Sequence, residues 1–347
     1  QDPTFAVGAI VAATGTNAEP GEGPHMVVEA DEFDRSFLGL FPNVAIITSV
    51  AFDHPDIYDD QDDYDRAFVD FAAQIKPGGT LVIAGDDAGS ARVRTRIDAR
   101  NHDDLTVNTF GEEGSWDWTL TGSEGNWSVT DTSGTSHALP LSVPGRHNAR
   151  NAVSALAALH ALGMPIDRSI RALGAYKGIG RRFEHKGTVN GADVIDDYAH
   201  HPEEVTAVLS AARDAYPGRR IVAIHQPHTY SRTHALMKEF ATSLELADRI
   251  ILMDIYGVGE VNEHQISSAH MASLIRKPTV LATDPVDAAA KARELLQPGD
   301  VVMTIGAGSV TQVGTLLVSG EGSDAAAAPE RKRPLMSPRS PKTAAIA

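Results

Sequence analysis

The chain alternates short apolar runs with longer segments whose apolar residues fall at helical spacing. "HMVVEA" (25–30) and "VAIITSV" (44–50) are β-rich runs, the second apolar at nearly every position, as a strand buried on both faces requires. "QDDYDRAFVDFAAQI" repeats apolar residues at helical spacing, and "GGTLVIAGDD" supplies another strand behind a glycine entrance. This alternation predicts a parallel sheet with crossover helices. From Leu105 to Val143 the pattern shifts to short alternating stretches such as "WDWTLTG" and "NWSVTD", which predict an antiparallel hairpin insert. "SVPGRHNARNAVSALAALHALG" follows, a Pro-Gly turn and polar residues before a long helix ending at Gly163.

Around "YKGIGRRFEHKG" (176–187), glycines and basic residues interrupt the pattern, which places a domain boundary near Gly180. Beyond it the alternation restarts: "ADVID", a helix at 203–215, "RRIVAIHQ", a helix at 232–246, "RIILMDIY", a helix within 266–276, "TVLA", a helix at 286–296, then "DVVMTIGAGSV". Five strands with intervening helices predict a Rossmann-like, doubly wound α/β domain. The expected organisation is therefore α/β throughout: residues 1–179 form a parallel-sheet domain with the antiparallel insert, and residues 180–318 the doubly wound domain. Residues 319–347, rich in Ala, Pro and Ser without apolar period, are expected to be a disordered tail. No internal repeat interrupts this plan.

Composition narrows the function classes. The 347 residues carry a net charge of −16, which argues against an electrostatic grip on nucleic acid or anionic lipid. No window approaches the roughly 18 apolar residues of a membrane span. With no cysteine there is no disulfide, thiolate metal site or cysteine nucleophile, which fits a reducing cytoplasm. The start, Gln1-Asp2-Pro3-Thr4, has neither an initiator Met nor a basic leader and reads as a cut edge.

In doubly wound sheets ligands lie beyond the C-terminal strand ends, so polar residues just after apolar runs are the first candidates. Glu29 and His54 each end or follow a strand, and a carboxylate with an imidazole suits an open site for a hard divalent cation; solvated surface acidity is the bland alternative. "PGRHNARN" opens a helix whose backbone N–H groups can hold a phosphate while side-chain amides read a base edge, or Asn148 is an ordinary N-cap. Arg181 and Arg182 sit at the boundary, where a guanidinium can clamp phosphates or simply be solvated. His225, His228 and Arg232 cluster after a strand and would fit a carboxylate. "VIDDYAHHP" places two acids, a tyrosine and two histidines at another strand end. "GAGSV" lacks the spacing of the dinucleotide fingerprint and reads as a strand-to-helix turn.

Taken together, "VEADEFDRSFL", "VAIITSVAFDH", "PGRHNARNAVSALAAL", "GIGRRFEHKG", "IDDYAHHPEEV", "QPHTYSRT" and "DIYGVGE" resemble the Mur ligases, in their UDP-N-acetylmuramate:L-alanine ligase (MurC) family. The resemblance runs in order from about Asp2 to Gly314 and covers that family's central and C-terminal domains. Its N-terminal domain and phosphate-binding loop have no counterpart here, and no Gly-Lys dipeptide occurs in the sequence. The chain is accordingly expected to be a fragment of the enzyme with impaired activity.

The resemblance implies ATP and Mg2+ as cofactors, UDP-N-acetylmuramate and L-alanine as substrates, and a cytoplasmic ligase of peptidoglycan precursor synthesis. A lactyl carboxylate is phosphorylated to an acyl phosphate, which the alanine amine then attacks. Position by position, Glu29 and His54 resemble the magnesium ligands. His147, Asn148 and Asn151 resemble the adenine-side residues, Arg182 the arginine reaching the phosphates, Asp197 the ribose carboxylate, and Tyr198 the residue beside the base. His200, His228 and Arg232 resemble residues facing the acyl end and alanine, with His200 and Arg182 the catalytic pair. Two positions depart from the family pattern: Pro55 follows His54 where Met is usual, and Thr229 replaces a basic residue. The alternatives are the murein tripeptide recycling ligase of the same superfamily, a non-catalytic nucleotide-binding module, and a metal-dependent hydrolase.

Overall fold

The computed structural model describes residues 2–55, 57–100, 104–112 and 114–320. In chain order, β1 (Thr4–Val11), β2 (Thr16–Glu19) and β3 (Met26–Val28) form a small sheet of order β2-β1-β3. An irregular helical segment, Phe33–Gly39, leads to β4 (Val44–Ile47), α1 (Gln61–Ala73), β5 (Thr80–Ala84), α2 (Ala88–Asp98) and β6 (Thr106–Glu112). β7 (Trp118–Ser123), β8 (Asn126–Thr130) and β9 (Ser136–Ala138) follow, then α3 (Arg146–Ala161) and α4 (Ile166–Ala175).

The first large sheet has the order β4-β5-β6-β7-β8-β9. Its first four strands are parallel and the last two antiparallel, so the insert extends the parallel sheet from its edge. One face packs Leu81 and Ile83 against α1 and α2 through Phe71, Val93 and Ile97. The other packs Val82, Phe110, Trp118 and Leu120 against α3 through Val153 and Leu156. Asp60 and Asp87 start α1 and α2, each accepting a backbone N–H of the first turn. At the ends of β5 and β6, the Trp116 ring lies flat over backbone: a Cβ on Gly85 would come within 2.3 Å of the indole, and one on Gly111 within 2.6 Å.

The second unit holds β10 (Glu184–Val189), β11 (Ala192–Asp197), α5 (Pro202–Ala215), β12 (Ile221–His225), α6 (Tyr230–Ala235), α7 (Met237–Leu244) and β13 (Arg249–Met253). It closes with α8 (Ser268–Ala272), β14 (Thr279–Ala282), α9 (Pro285–Leu295), β15 (Val301–Ile305) and α10 (Thr311–Ser319). The order is β10-β11-β15-β12-β13-β14, five parallel strands with an antiparallel edge. The strands β12, β13 and β15 read as nearly continuous apolar runs because both faces are covered. Ile195, Ile250, Leu252 and Met303 point toward α5 and α7, while Val194, Ile251, Met253 and Val302 point toward α9 and α10.

Two sequence expectations change. The "EHKGTV" stretch, read as interruption, is the edge strand β10. The single helix expected at 232–246 is two helices that meet at Leu236, whose backbone leaves the helical region. The expected tail lies outside the described residues, except that Ser319 ends α10 and Gly320 caps it in the left-handed conformation. Among the described residues no helix is long and apolar enough to cross a membrane.

Candidate active site

In the second sheet the strand order reverses where β15 inserts between β11 and β12, so the segments after these three strands converge. The C-terminal ends of β4 and β5 face the same space. Between them lies a cleft of about 890 Å³, lined from one side by Thr48, Ser49, Asp53 and Asp87 and from the other by Arg182, Asp197, His201 and Glu204. His147, Asn148 and Asn151, from the first turns of α3, line it too. The helix starts at Gly145, whose φ of 104° no L side chain adopts readily and whose Cβ would meet both His147 and Ala211 of α5. Asn148 is thus inside the helix, its amide donating to the Pro144 carbonyl at 2.6 Å.

Asp197 ends β11 almost fully buried, and one oxygen accepts the Ala199 N–H and the other the Phe183 N–H, each at 2.8 Å. Burial pushes its carboxyl up to about 6. The same cause, reinforced by Arg182, holds His147 below its ordinary value. His201 caps α5 ahead of Pro202, and Glu204 accepts the backbone N–H groups of both His200 and His201. Arg182 reaches Glu204 at 3.7 Å and faces the cleft, whereas Arg181 turns inward to Asp196 and the Gly306 carbonyl.

A second cluster stands beyond the cleft. Arg232 donates through Nε to Asp53 Oδ1 at 2.8 Å and through Nη2 to Oδ2 at 2.9 Å, a bidentate pair between the two units. His228 lies 3.5 Å from the Arg232 guanidinium, and its ring is 5.9 Å from that of His200. Burial, then the charges of His200 and Arg232, pull His228 down to about 4. His200 is held below its usual value, first by burial. Its Nδ1 lies 3.1 Å from the Tyr198 carbonyl, which can only accept; Nδ1 therefore carries the proton and Nε2 the lone pair.

Glu32, Asp53 and His54 bring ligand atoms within 4.8 Å of one another. Two carboxylates and an imidazole suit a hard divalent cation completed by water and phosphate oxygens. Arg232 already holds both oxygens of Asp53, so Glu32 and His54 carry the less committed donors. Burial opposes charge on His54, but its hydrogen bond with Glu32 and the field of Asp53 outweigh this and raise its pKa.

The sequence candidates therefore divide. His147, Asn148, Asn151, Arg182 and Asp197 share the cleft, while His54, His200, His228 and Arg232 gather at its far end. Tyr198 lies between the guanidinium groups of Arg181, at 4.7 Å, and Arg182, at 5.7 Å. Glu29 stands apart from the three-residue cluster; its exposed carboxylate accepts the Gly8 N–H. His225 is fully buried beside Phe240 with Nδ1 near the Ile305 carbonyl, so it is not a carboxylate-facing group. Glu32 and Asp53 are not among the residues singled out by the sequence, although they lie within "VEADEFDRSFL" and "VAIITSVAFDH".

Two α/β units that direct their strand ends at one cleft, with an arginine of one unit on an aspartate of the other beyond its end, define the class of a two-unit α/β enzyme with a shared cleft. Comparison with known proteins makes the class specific. Residues 11–159 match the Mur ligase middle domain and residues 181–308 the Mur ligase, glutamate ligase domain. The UDP-N-acetylmuramate--L-alanine ligase of Mycolicibacterium smegmatis is 39% identical over 330 residues, covering 92% of this chain and 67% of that protein. The ligase of the same name from Nitratidesulfovibrio vulgaris is 38% identical, covering 92% and 71%. The crystal structure of UDP-N-acetylmuramate-alanine ligase from Thermotoga maritima superposes with a TM-score of 0.72 at 25% identity, covering 92% of this chain and 69% of that one. The chain belongs to the Mur ligases, in the UDP-N-acetylmuramate--L-alanine ligase family. It spans about two thirds of the length of these relatives.

Proposed function

We propose that this chain carries the nucleotide-facing and amino-acid-facing parts of a cytoplasmic ligase that joins L-alanine to the lactyl carboxylate of UDP-N-acetylmuramate, using ATP and Mg2+. The observation that carries the reading is the cleft with His147, Asn148, Asn151, Arg182 and Asp197 along it and, beyond its end, the bidentate pair of Arg232 with Asp53 of the cleft wall. When bound, ATP supplies the phosphoryl group that turns a poor acylating agent into a good one, and Mg2+ offsets phosphate charge.

The chain's own residues then bind, orient and move protons. The α3 side chains form one wall of the nucleotide site. Asp197, its oxygens fixed by two backbone N–H groups, keeps lone pairs for ribose hydroxyls on the other wall. Arg182, exposed to the cleft, neutralises phosphate charge. Glu32 and His54 are the proposed metal-holding pair, with Glu29, to which the family resemblance of the motifs points, as the alternative carboxylate. Arg232 orients the amino acid by donating to its carboxylate from Nη1, the guanidinium nitrogen that Asp53 does not engage. His200, neutral and with Nε2 unprotonated, takes the proton that the attacking amine must shed.

The test is the phosphate release of the parent enzyme with ATP, the UDP-sugar and L-alanine each omitted in turn. Release should need all three. Turnover with tripeptide but not alanine points to a recycling ligase, and ATP cleavage without acceptor to a hydrolase. Asp197→Ala should weaken ATP binding more than His228→Ala; equal effects count against the assignment of Asp197.

A further inference from the structure

The segment after β12 reaches the site by an unusual path. Thr229 adopts φ 62° and ψ 147°, a conformation rare outside glycine, and α6 begins directly after it. A helix of six residues has little cooperativity of its own and leaves its first N–H groups unsatisfied. Thr229 Oγ1 accepts the N–H of Arg232, and Glu260, thirty positions beyond Tyr230, meets the first two: Oε2 accepts the backbone N–H groups of Tyr230 and Ser231, and Oε1 accepts the Ser231 hydroxyl at 2.7 Å.

The rest of the "DIYGVGE" loop grips the same segment. Tyr256 donates its N–H to the Pro227 carbonyl at 2.9 Å and accepts the Thr229 N–H at 2.9 Å. Its ring stacks on His228 with centroids 5.8 Å apart. Gly257 lets the loop pass under Tyr230, whose ring would lie 2.5 Å from any Cβ there. The loop thus holds residues 227–231 from one side, while Arg232 reaches Asp53 from the other.

We propose that Glu260 is a positioning residue that aims the Arg232 guanidinium at its carboxylate partner by fixing the first turn of α6. The inference rests on the reading that Arg232 orients the amino-acid substrate, and extends it to a residue outside the cleft. An ordinary cap contributes stability alone; Glu260 sets where a guanidinium points. Loss of the three hydrogen bonds frees Tyr230 and Ser231 to rotate, and Arg232, one residue on, moves with them.

The test is a double-mutant cycle between Asp53→Asn and Arg232→Gln, measured by urea unfolding of the full chain in the parent, Glu260→Ala and Glu260→Gln backgrounds. Coupling between the pair should fall to less than about half in Glu260→Ala and recover in Glu260→Gln, whose amide keeps an acceptor for the N–H groups and a donor for Ser231. In the complete ligase assay, Glu260→Ala should raise KM for L-alanine about tenfold and leave KM for ATP within about twofold. Unchanged coupling, or coupling already absent in the parent chain, overturns the proposal. An equal loss toward both substrates overturns it as well, since a general loss of stability then suffices. No turnover in any form removes the functional reading and leaves the unfolding cycle to decide the role of Glu260.

Discussion

Replacing Asp53 by Asn should cost more than an ordinary surface ion pair, and the amount can be worked from the geometry. The Arg232 side chain is 7% exposed and that of Asp53 13%, with both guanidinium bonds under 3 Å. Exposed pairs contribute about 0–1 kcal/mol, whereas removing one partner of a buried pair costs about 3–5 kcal/mol, because the other charge is left uncompensated. Residual exposure and the oxygen that Asn retains for Nε place the loss near 2–3 kcal/mol on this scale. The pair joins positions 179 residues apart and, among the described residues, is the ion pair that ties the first 179 residues to the second unit. Its loss should therefore also reduce the cooperativity between the two units in urea, with the coupling to Arg232→Gln near 2 kcal/mol. Because the contact is largely buried, that coupling should survive 0.5 M salt, where the Debye length has fallen to about 4 Å and exposed pairs are largely screened. A coupling below about 0.5 kcal/mol, or one abolished by salt, would show that the two units touch there without holding each other.

Asp197 predicts a pH effect of definite sign. Its carboxyl is pushed up to about 6, so the folded chain binds that proton more tightly than the unfolded one; the contribution is complete below about pH 4 and lost as pH rises through about 6. The span is about 3 kcal/mol, and Asp197→Asn should flatten that part of the stability profile; parallel profiles for parent and variant would refute it. Gly85→Ala should expel the Trp116 ring and red-shift its emission, since the new methyl lies within contact of the indole; an unshifted spectrum contradicts the packing. Glu32→Gln should weaken Mg2+ binding about tenfold by calorimetry while Glu29→Gln leaves it within about twofold, and the reverse order would restore Glu29 as the ligand.

How much of this was legible in the sequence depended on what each residue had to satisfy. The strands β11, β12, β13 and β15 announce themselves because burial on both faces leaves their middles apolar, with polar residues only at or next to their ends. Strand β10 does not: as a half-exposed edge with a kink at Gly187, φ 140°, it carries His, Lys and Gly where a central strand would carry Val or Ile. The break between α6 and α7 falls at Leu236, a good helix former, so only tertiary contacts reveal it. Site residues after strand ends, such as Asp197 and Arg232, follow from the topology of doubly wound sheets. Which carboxylate approaches His54 does not: Glu29 and Glu32 are three positions apart in the connection between β3 and the irregular helical segment, a stretch with no sequence period. Nor can spacing disclose that Arg232 is held by an aspartate from the other unit.

The indole of Trp116 has a practical consequence beyond packing. The other two tryptophans, Trp118 and Trp127, are buried in the first unit's core, so their emission should be nearly constant. Trp116 instead lies over Gly111, beside Asp86, whose carboxylate grips Arg150 of the cleft wall in two bonds of 2.6 Å. Trp116 should therefore serve as a native optical reporter, one salt bridge removed from the cleft, whose colour can be followed without any label.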